Sequence, residues 1–238
     1  MKIALLGYGK MGRAIEQLAL QDGDEIVLRA DSGTSEEAAR DFLRAADVAI
    51  EFSRPESAFA NIRLALETGV PVVCGTTAWL DRLEEAKTLC EKHQGALLYA
   101  SNFSIGVNLF FALNRYLAEM MAQLPQYQAR IEEAHHVQKL DAPSGTAITL
   151  AEGILERNRR LGKWAPEEAA GPRELPIRSR REGQVPGIHE VQYNSAIDSI
   201  TIRHEAHSRE GFAHGALLAA RWLVGKQGYF EMKDMLGF

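Results

Sequence analysis

The first twelve residues constrain the fold more than any other part of the chain. The apolar run KIALL at residues 2–6 is followed directly by GYGKMG at residues 7–12. A short apolar run is typical of a buried parallel strand. The spacing G-x-G-x-x-G between a strand and a helix is typical of a loop that carries a dinucleotide pyrophosphate. The chain therefore predicts an opening strand–loop–helix unit of the dinucleotide-binding kind.

Each glycine of this loop has its own predicted purpose. Gly7 allows a tight turn, Gly9 lets the backbone approach a pyrophosphate, and Gly12 allows close packing of the helix. The helix start adds unpaired N–H groups and a partial positive charge. The same glycines could form a turn without a ligand. Against that alternative, Asp31 lies at the end of the second predicted strand, near the place expected for the acid that binds the adenosine ribose.

Strand and helix patterns alternate up to about residue 103. The later strands EIVLRAD, DVAIEFS, VPVVCGTT and ALLYAS are separated by segments of helical pattern. This alternation predicts an α/β fold with a Rossmann-like, doubly wound parallel sheet. The second part begins with a long apolar helix and the strand QYQARIEEAHH. After a further helix, three sequential strands predict an antiparallel sheet. The last helix, FAHGALLAARWLVGK, could return to the first domain.

Composition excludes several classes of function. A net charge of −5 does not suit a nucleic-acid-binding protein, whose footprint is normally basic. No apolar run approaches the eighteen residues of a membrane span, so no membrane association is expected. The two cysteines, Cys74 and Cys90, lack metal-ligand spacing and suit a reducing cytoplasm.

The cofactor choice depends on the adenosine end. A carboxylate at Asp31 binds the 2′-hydroxyl of NADH and repels the 2′-phosphate of NADPH. Ser32 follows where an arginine would favour the phosphate, although Lys10 and Arg13 could compensate. The sequence therefore predicts NADH or NADPH as cofactor and favours NADH. Small and hydroxylic residues at the ends of the third, fourth and fifth strands could line the nicotinamide or could be ordinary turns.

The stretch EEAHHVQKLDAPSGTA at residues 132–147 concentrates groups that ordinary cores rarely need. A metal site is one explanation, but adjacent histidines on a strand point to opposite faces. A purely structural role is another. The third is a site for an anion and for proton transfer. Gly145 and Thr146 begin a predicted helix whose N–H groups suit a carboxylate. Lys139 and one of the histidines add charge and a proton.

This stretch resembles the signature of the dihydrodipicolinate reductase (4-hydroxy-tetrahydrodipicolinate reductase) family. The resemblance extends over nearly the whole chain through GYGKMGR, FSRPE, GTT and ASNFSIGVN. It implies an NAD(P)H-dependent oxidoreductase that reduces 4-hydroxy-tetrahydrodipicolinate, a cyclic dicarboxylate, to tetrahydrodipicolinate in diaminopimelate and lysine synthesis. The glycine loop is one residue tighter than the commoner family form, which bears on cofactor choice and not on activity.

The resemblance also assigns domains and sites. It implies a dinucleotide-binding domain at 1–103 completed by 212–238. It also implies an α+β substrate-binding and oligomerisation domain at 104–211 with an open mixed sheet, and a homotetramer. The cysteine usage described above adds the expectation of a cytoplasmic protein. His135 and Lys139 match catalytic positions, and His136, Gly145 and Thr146 match substrate-binding positions. The positions that match cofactor contacts are Gly7, Tyr8, Gly9, Lys10, Met11, Gly12, Asp31, Gly75, Thr76, Thr77, Ala100, Ser101, Asn102 and Phe103.

Two rival functions stay open from the sequence alone. One is another two-domain NAD(P)-dependent dehydrogenase, which would need a different constellation for its substrate. The other is a non-catalytic NAD(P)-binding sensor, which would bind the cofactor without oxidising it in response to a substrate. No metal is predicted for either the cofactor end or the catalytic end.

Overall fold

A computed structural model describes residues 1–208 and 210–238. Its contacts divide the chain into two compact units. The first unit comprises Met1–Ile105 and Glu210–Phe238, and the second comprises Gly106–Arg209, in which residue 209 is not described. The strands are β1 (Lys2–Leu6), β2 (Glu25–Ala30), β3 (Val48–Glu51), β4 (Val72–Cys74), β5 (Ala96–Tyr99), β6 (Gln128–His135), β7 (Lys163–Pro166), β8 (Glu174–Arg181), β9 (Ile188–Asn194), β10 (Ser199–Glu205) and β11 (Gly228–Phe230).

Eight α-helices accompany these strands in the described residues. They are α1 (Lys10–Gln21), α2 (Glu36–Leu43), α3 (Pro55–Glu67), α4 (Leu83–Lys92), α5 (Ile105–Met121), α6 (Gly145–Arg157), α7 (Glu210–Leu223) and α8 (Met232–Leu236). No helix in the described part of the chain is long and apolar enough to cross a bilayer.

The first unit is built on a parallel sheet of six strands in the order β11-β5-β4-β3-β1-β2. Residues 3–6 of β1 and all of β3 are buried, as expected for strands covered on both faces. Helices α1 and α7 contribute to the core on one face, and α2, α3 and α4 contribute to the core on the other. The predicted doubly wound parallel sheet is confirmed.

The sequence prediction missed α2, which fills the short segment between Asp31 and β3. The helix begins at a capped residue, because the Ser35 hydroxyl accepts a hydrogen bond from the Ala38 N–H at 3.2 Å. Glu36 and Glu37 follow in the first turn, where negative charge is favourable. The missed strand β11 extends the sheet beyond β5.

The second unit contains a mixed sheet of five strands in the order β10-β9-β6-β8-β7. Strands β10, β9 and β6 are antiparallel neighbours, whereas β6, β8 and β7 run parallel. The residue patterns predicted an antiparallel sheet of sequential strands, and this is wrong for β8. The intervening helix α6 makes a crossover between β6 and the strands that follow, so β8 enters the sheet in the direction of β6. The mixed sheet implied by the family resemblance is confirmed.

The two faces of this second sheet differ in character. Helices α5 and α6 supply apolar side chains to one core, and the Asn114 side chain of α5 donates to the Leu150 carbonyl of α6 at 2.9 Å. The opposite face carries ion pairs between arginine and glutamate. Glu132 pairs with Arg130 at 3.3 Å and with Arg180 at 2.9 Å. The face covered by α5 and α6, here called the inward face, is therefore the one that can hold buried polar side chains.

Candidate active site

The glycine loop after β1 is shaped by contacts that only glycine tolerates. Gly7 has φ of +107°, and a Cβ there would lie 2.2 Å from the Phe52 carbonyl oxygen. A Cβ on Gly12 would lie 2.4 Å from the Gly7 carbonyl oxygen. A Cβ on Gly9 would meet no protein atom within 4 Å. Contacts within the protein therefore require glycine at positions 7 and 12. The open space beside Gly9 fits a phosphate that approaches the backbone.

The other residues of the loop lie at the start of α1. The Tyr8 hydroxyl donates a short hydrogen bond to Glu16, which also binds Arg29 of β2. Lys10 is exposed at the first position of α1, and Met11 is half-buried. These contacts fasten the loop to the helix and to the second strand.

A cavity of about 530 Å³ opens at the carboxyl ends of β1, β2 and β3. Its walls include Gly7, Tyr8 and Gly9 of the loop, together with Asp31 and Arg54. Ligands of doubly wound sheets bind at this edge. The cavity and the open position at Gly9 together fit the adenosine half of a dinucleotide.

Asp31 lies directly after β2, with its carboxylate held in place by the turn that follows. Its Oδ1 accepts hydrogen bonds from the Gly33 N–H at 2.9 Å and from the Thr34 hydroxyl at 3.3 Å. Glu36 and Glu56 also line the cavity, and Arg54 is its one basic lining residue among those described. The negative charge of Asp31, Glu36 and Glu56 is unfavourable for an additional phosphate on the ribose.

The side chain of Phe52 connects the remaining predicted cofactor loops. A Cβ on Gly75 would lie 2.1 Å from the Phe52 ring, and the ring centroids of Phe52 and Phe103 are 5.6 Å apart. The Thr76 hydroxyl accepts from the Ser53 N–H at 2.8 Å. Thr77 and Ser101 are exposed, Ala100 is buried and Asn102 is half-buried. The loops after β3, β4 and β5 are thus brought together, as the parallel sheet requires.

Glu51, at the end of β3, is a buried carboxylate that sequence reasoning did not single out. It is fully buried and accepts from the Ser53 N–H at 3.0 Å and from Asn61 at 3.3 Å. The Cys74 thiol lies 3.2 Å from its other oxygen. Burial, reinforced by this carboxylate, raises the pKa of Cys74 well above its usual range, so the thiol stays protonated.

In the second unit, strand register gathers a cluster around His135. Glu133 and His135 are two residues apart on β6, so their side chains share the inward face. The register places Glu133 opposite His189 of β9 and His135 beside Arg181 of β8. Neither neighbour could be found from the sequence, because strand register is not visible in it. Glu133 could have been found from the alternation of β6.

Glu133 is an ionised carboxylate held by several donors. It is fully buried, forms a short contact with His135 Nδ1, and accepts from Arg181 Nη1 at 2.9 Å. Burial alone would raise the pKa of Glu133, but hydrogen bonds from His135, Ser179 and Arg181 lower it to about 2. The carboxylate therefore faces the Nδ1 side of the His135 ring as an anion.

His189 lies against the same ring but stays neutral. The ring centroids of His135 and His189 are 5.1 Å apart, at an interplanar angle of 72°. Burial, reinforced by the charge of His135, lowers the pKa of His189 to about 3. Its Nε2 lies 3.1 Å from the Ser144 hydroxyl, and its Nδ1 has no partner among the described residues. His189 thus anchors Ser144 to the sheet without adding charge.

Lys139 lies in the loop that follows β6. Its ammonium group donates to Asp141 at 2.8 Å, and its backbone N–H donates to the His136 carbonyl at 3.1 Å. The hydrogen bond from Lys139 lowers the pKa of Asp141. Arg181 stabilises this loop, because its guanidinium donates to the backbone carbonyls of Lys139 at 3.2 Å and of Asp141 at 2.5 Å. Asp141, whose role the sequence left open, thus orients the lysine.

Helix α6 begins at the predicted place. Ser144 is its N-cap, and its hydroxyl accepts from the Ala147 N–H at 3.3 Å. Gly145 and Thr146 are the first two helical residues, and a Cβ on Gly145 would meet no protein atom within 4 Å. A helix start with open space beside it suits a carboxylate. His136 is half-buried where the chain leaves β6.

The three side chains of Glu133, His135 and His189 also meet the distance requirement for a metal site, since their ligand atoms lie within 4.8 Å of one another. Their contacts favour hydrogen bonding instead. One oxygen of Glu133 accepts from Arg181 at 2.9 Å and the other is hydrogen-bonded to His135 Nδ1, so both oxygens already have partners.

We expect His189 to weaken the fold in acid. Its folded-state pKa lies below the usual 6.5, so the unfolded chain binds the proton first and stability is lost as pH falls from 6.5 toward 3. Between about pH 7.5 and pH 5, this residue should cost about 2 kcal/mol. The change His189→Gln should make the urea midpoint less sensitive to pH over that range, whereas His214→Gln, at an exposed position on α7, should not. Equal pH sensitivity of both variants and the parent would contradict the assignment.

A larger cavity of about 990 Å³ lies elsewhere in the second unit. Arg159, Arg160 and Arg173 are among its lining residues, and the residues lining it include no member of the cluster around His135. The candidate catalytic site is therefore defined by the residues around His135, which lie outside this larger cavity.

Comparison with protein families gives matches over both units. The model described as "Dihydrodipicolinate reductase, N-terminus" matches residues 1–103, and that described as "Dihydrodipicolinate reductase, C-terminus" matches residues 106–236. The two matches together span almost the entire chain.

Whole-chain relatives agree with these matches. The 4-hydroxy-tetrahydrodipicolinate reductase of Christiangramia forsetii is 51% identical over 99% of this chain and 98% of its own length. That of Thiobacillus denitrificans is 32% identical over 100% and 98%. A solved structure, the dipicolinate-bound dihydrodipicolinate reductase from Paenisporosarcina sp. TG-14, has a TM-score of 0.77 at 24% identity and covers 97% of each chain. That structural likeness supports the fold.

Proposed function

Because the chain belongs to the dihydrodipicolinate reductase family, we propose that it reduces 4-hydroxy-tetrahydrodipicolinate to tetrahydrodipicolinate in diaminopimelate and lysine synthesis. The observation that carries this proposal is the cluster of His135, Lys139 and the open start of α6 in one unit. The other unit holds a dinucleotide-type glycine loop. The net reaction adds a hydride and a proton and releases the ring hydroxyl as water, so the site needs a proton donor.

The substrate carboxylate binds at the start of α6. The N–H groups of Gly145 and Thr146 lie in the first turn, where helical N–H groups have no intrahelical partner. The partial positive charge of the helix start adds to this attraction. His136, located where the chain leaves β6, also binds the charged substrate.

Lys139 and His135 handle the proton. Asp141 orients the Lys139 side chain by accepting its hydrogen bond. The positive charge of Lys139 also contributes to the lowered pKa of the buried His189. His135 has one ring nitrogen engaged by Glu133, so the other nitrogen is the one that exchanges a proton with the substrate. A positioned proton donor of this kind contributes about 10²- to 10⁴-fold to the rate.

The cofactor binds to the first unit. The predicted contacts are Gly7–Gly12, Asp31, Gly75–Thr77 and Ala100–Phe103, and the bound dinucleotide supplies the hydride. The open space beside Gly9 and the cavity next to Asp31 support this placement.

We expect NADH to be preferred over NADPH by about tenfold in kcat/KM, because a like-charge contact of about 1.4 kcal/mol at the ribose gives that factor. The change Asp31→Ala should bring the ratio close to one. Asp41→Ala, which removes a carboxylate paired with Arg44 on α2 at 3.1 Å and not among the lining residues of the cavity, should leave the ratio unchanged. A parent enzyme that prefers NADPH would refute the role of Asp31.

The chain is further proposed to act as a cytoplasmic homotetramer. Both cysteines are free and buried, which suits a reducing compartment. The outward face of the second sheet, with its paired arginines and glutamates, is the surface offered for assembly. Light scattering after size-exclusion chromatography should give four chain masses, and a single chain mass would contradict this.

The proposed reaction is tested by following cofactor oxidation with enzymatically generated substrate. Oxidation that depends on this substrate, and is absent with other carbonyl or imine acids, supports it. Oxidation with a different substrate would favour another two-domain dehydrogenase. Cofactor binding without any substrate-dependent oxidation would favour a sensor.

A further inference from the structure

The contacts of His135 fix one of its two ring nitrogens. Its Nδ1 faces the buried carboxylate of Glu133, and the ring is in T-shaped contact with His189 on the neighbouring strand. A Cβ on Gly187 would lie 3.2 Å from His135 Nε2, so the glycine leaves room beside that nitrogen. A histidine whose Nδ1–H is donated to a carboxylate keeps Nε2 as its reactive nitrogen.

Arg181 connects this carboxylate to the lysine loop. Its guanidinium donates to Glu133 at 2.9 Å, to the Lys139 carbonyl at 3.2 Å and to the Asp141 carbonyl at 2.5 Å. The planar fork of arginine suits several acceptors held in fixed directions. One side chain therefore joins the strand that carries His135 to the loop that carries Lys139.

We propose that Glu133 and Arg181 are a positioning pair, which fixes the His135 ring through Nδ1 and holds the Lys139 loop at the same site. Neither residue needs to touch the substrate. Glu133 selects which nitrogen of His135 exchanges the proton, and Arg181 keeps Glu133 ionised and the loop ordered. This inference rests on the proposed function for the roles of His135 and Lys139.

The titratable groups around His135 lie on four strands and one loop. Glu133 lies on its own strand, Arg181 on β8, and neutral His189 on β9. Lys139 and its partner Asp141 lie on the loop, and His204 of β10 acts on His189. Among these groups, only Glu133 places a negative charge directly on a ring nitrogen of His135, so its removal should have a distinct effect.

The first test uses the unaltered protein. Histidine labelled with ¹⁵N gives nitrogen shifts and long-range couplings that identify the protonated nitrogen, and His135→Gln identifies the signals of His135. The proposal expects neutral His135 to carry its proton on Nδ1. A proton on Nε2 of the neutral ring would overturn it, and no variant of Glu133 is needed for that result.

The second test removes the charge of Glu133 with little change in shape. Glu133→Gln should lower kcat by about tenfold or more with little change in KM, because a neutral amide no longer fixes which ring nitrogen of His135 carries the proton. Glu133→Asp, which keeps the carboxylate, should restore part of the lost kcat. The control is Glu156→Gln, at an exposed position on α6 in the same unit. An unchanged kcat in folded Glu133→Gln, or an equal loss of kcat in both glutamine variants, would overturn the proposal.

The third test concerns Arg181. Arg181→Gln should increase the hydrogen exchange of the backbone amides at residues 137–141 by about tenfold, since the loop loses the two hydrogen bonds that the guanidinium donates to its carbonyls. Arg157→Gln removes an exposed arginine of α6 that pairs with Glu119 at 3.5 Å and should leave those amides unchanged. Equal exchange in both variants would overturn the role of Arg181.

These readouts separate the inference from the proposed reaction. The nitrogen shifts and the amide exchange are measured without turnover. If they agree with the proposal while His135→Gln retains full activity, the catalytic role of His135 is wrong and the positioning contacts stand.

Discussion

Replacing Lys139 with alanine is expected to lower kcat by about 10²- to 10⁴-fold, the usual contribution of a positioned proton donor. The loop itself should survive, because Arg181 binds the backbone carbonyls of Lys139 and Asp141 and not the lysine side chain. The KM for the cofactor should therefore change little. Steady-state kinetics, with circular dichroism to establish folding, measures both effects.

The matched control for this variant is Lys163→Ala. Lys163 lies on β7 in the same unit and forms an exposed ion pair with Glu174 at 3.1 Å. Exposed pairs contribute little, about 1 kcal/mol or less, so kcat should stay within about twofold of the parent. If Lys139→Ala keeps near-normal turnover while folded, Lys139 is not the proton donor.

Gly7→Ala is expected to destabilise the first unit by about 2 to 5 kcal/mol. The positive φ costs about 1–2 kcal/mol in a residue with a side chain, and overpacking against the Phe52 carbonyl adds about 1–3 kcal/mol. This is a large part of a total stability of about 5–15 kcal/mol. Urea unfolding followed by the fluorescence of Trp79 and Trp222, both in this unit, measures the loss.

Gly9→Ala is expected to weaken cofactor binding while leaving the stability of the first unit almost unchanged. The added methyl group meets no protein atom within 4 Å, so stability should change by about 1 kcal/mol or less, as for other helix N-caps. The affinity for the dinucleotide should fall about tenfold or more, because the methyl group occupies the space needed by the phosphates. If Gly9→Ala binds the cofactor normally, the loop does not carry the pyrophosphate.

Much of the first unit could be predicted from the sequence, because its signals are local. The buried strand runs, the glycine loop and Asp31 at the end of β2 all follow from neighbouring residues. Strand β8 shows the limit, since its parallel partner β6 is separated from it by a helix and its direction depends on that crossover. The strand itself was found and its pairing was not.

The candidate site was predicted in part for the same reason. The residues of the signature stretch are close in sequence, so Lys139 and the capped start of α6 were found. Glu133 lay within that stretch and was passed over, although its spacing from His135 indicated a shared face. His189 and Arg181 enter only through strand register, which no local pattern reveals.

The central claim is tested most directly by tracing the hydride. The enzyme is given the enzymatically generated substrate and NADH deuterated at C4 of the nicotinamide, with each of the two stereoisomers in turn, and the product is examined by mass spectrometry. The account predicts tetrahydrodipicolinate that is one mass unit heavier with one stereoisomer and unlabelled with the other. Cofactor oxidation that leaves the product unlabelled with both stereoisomers, or no oxidation in the presence of the substrate, would contradict it.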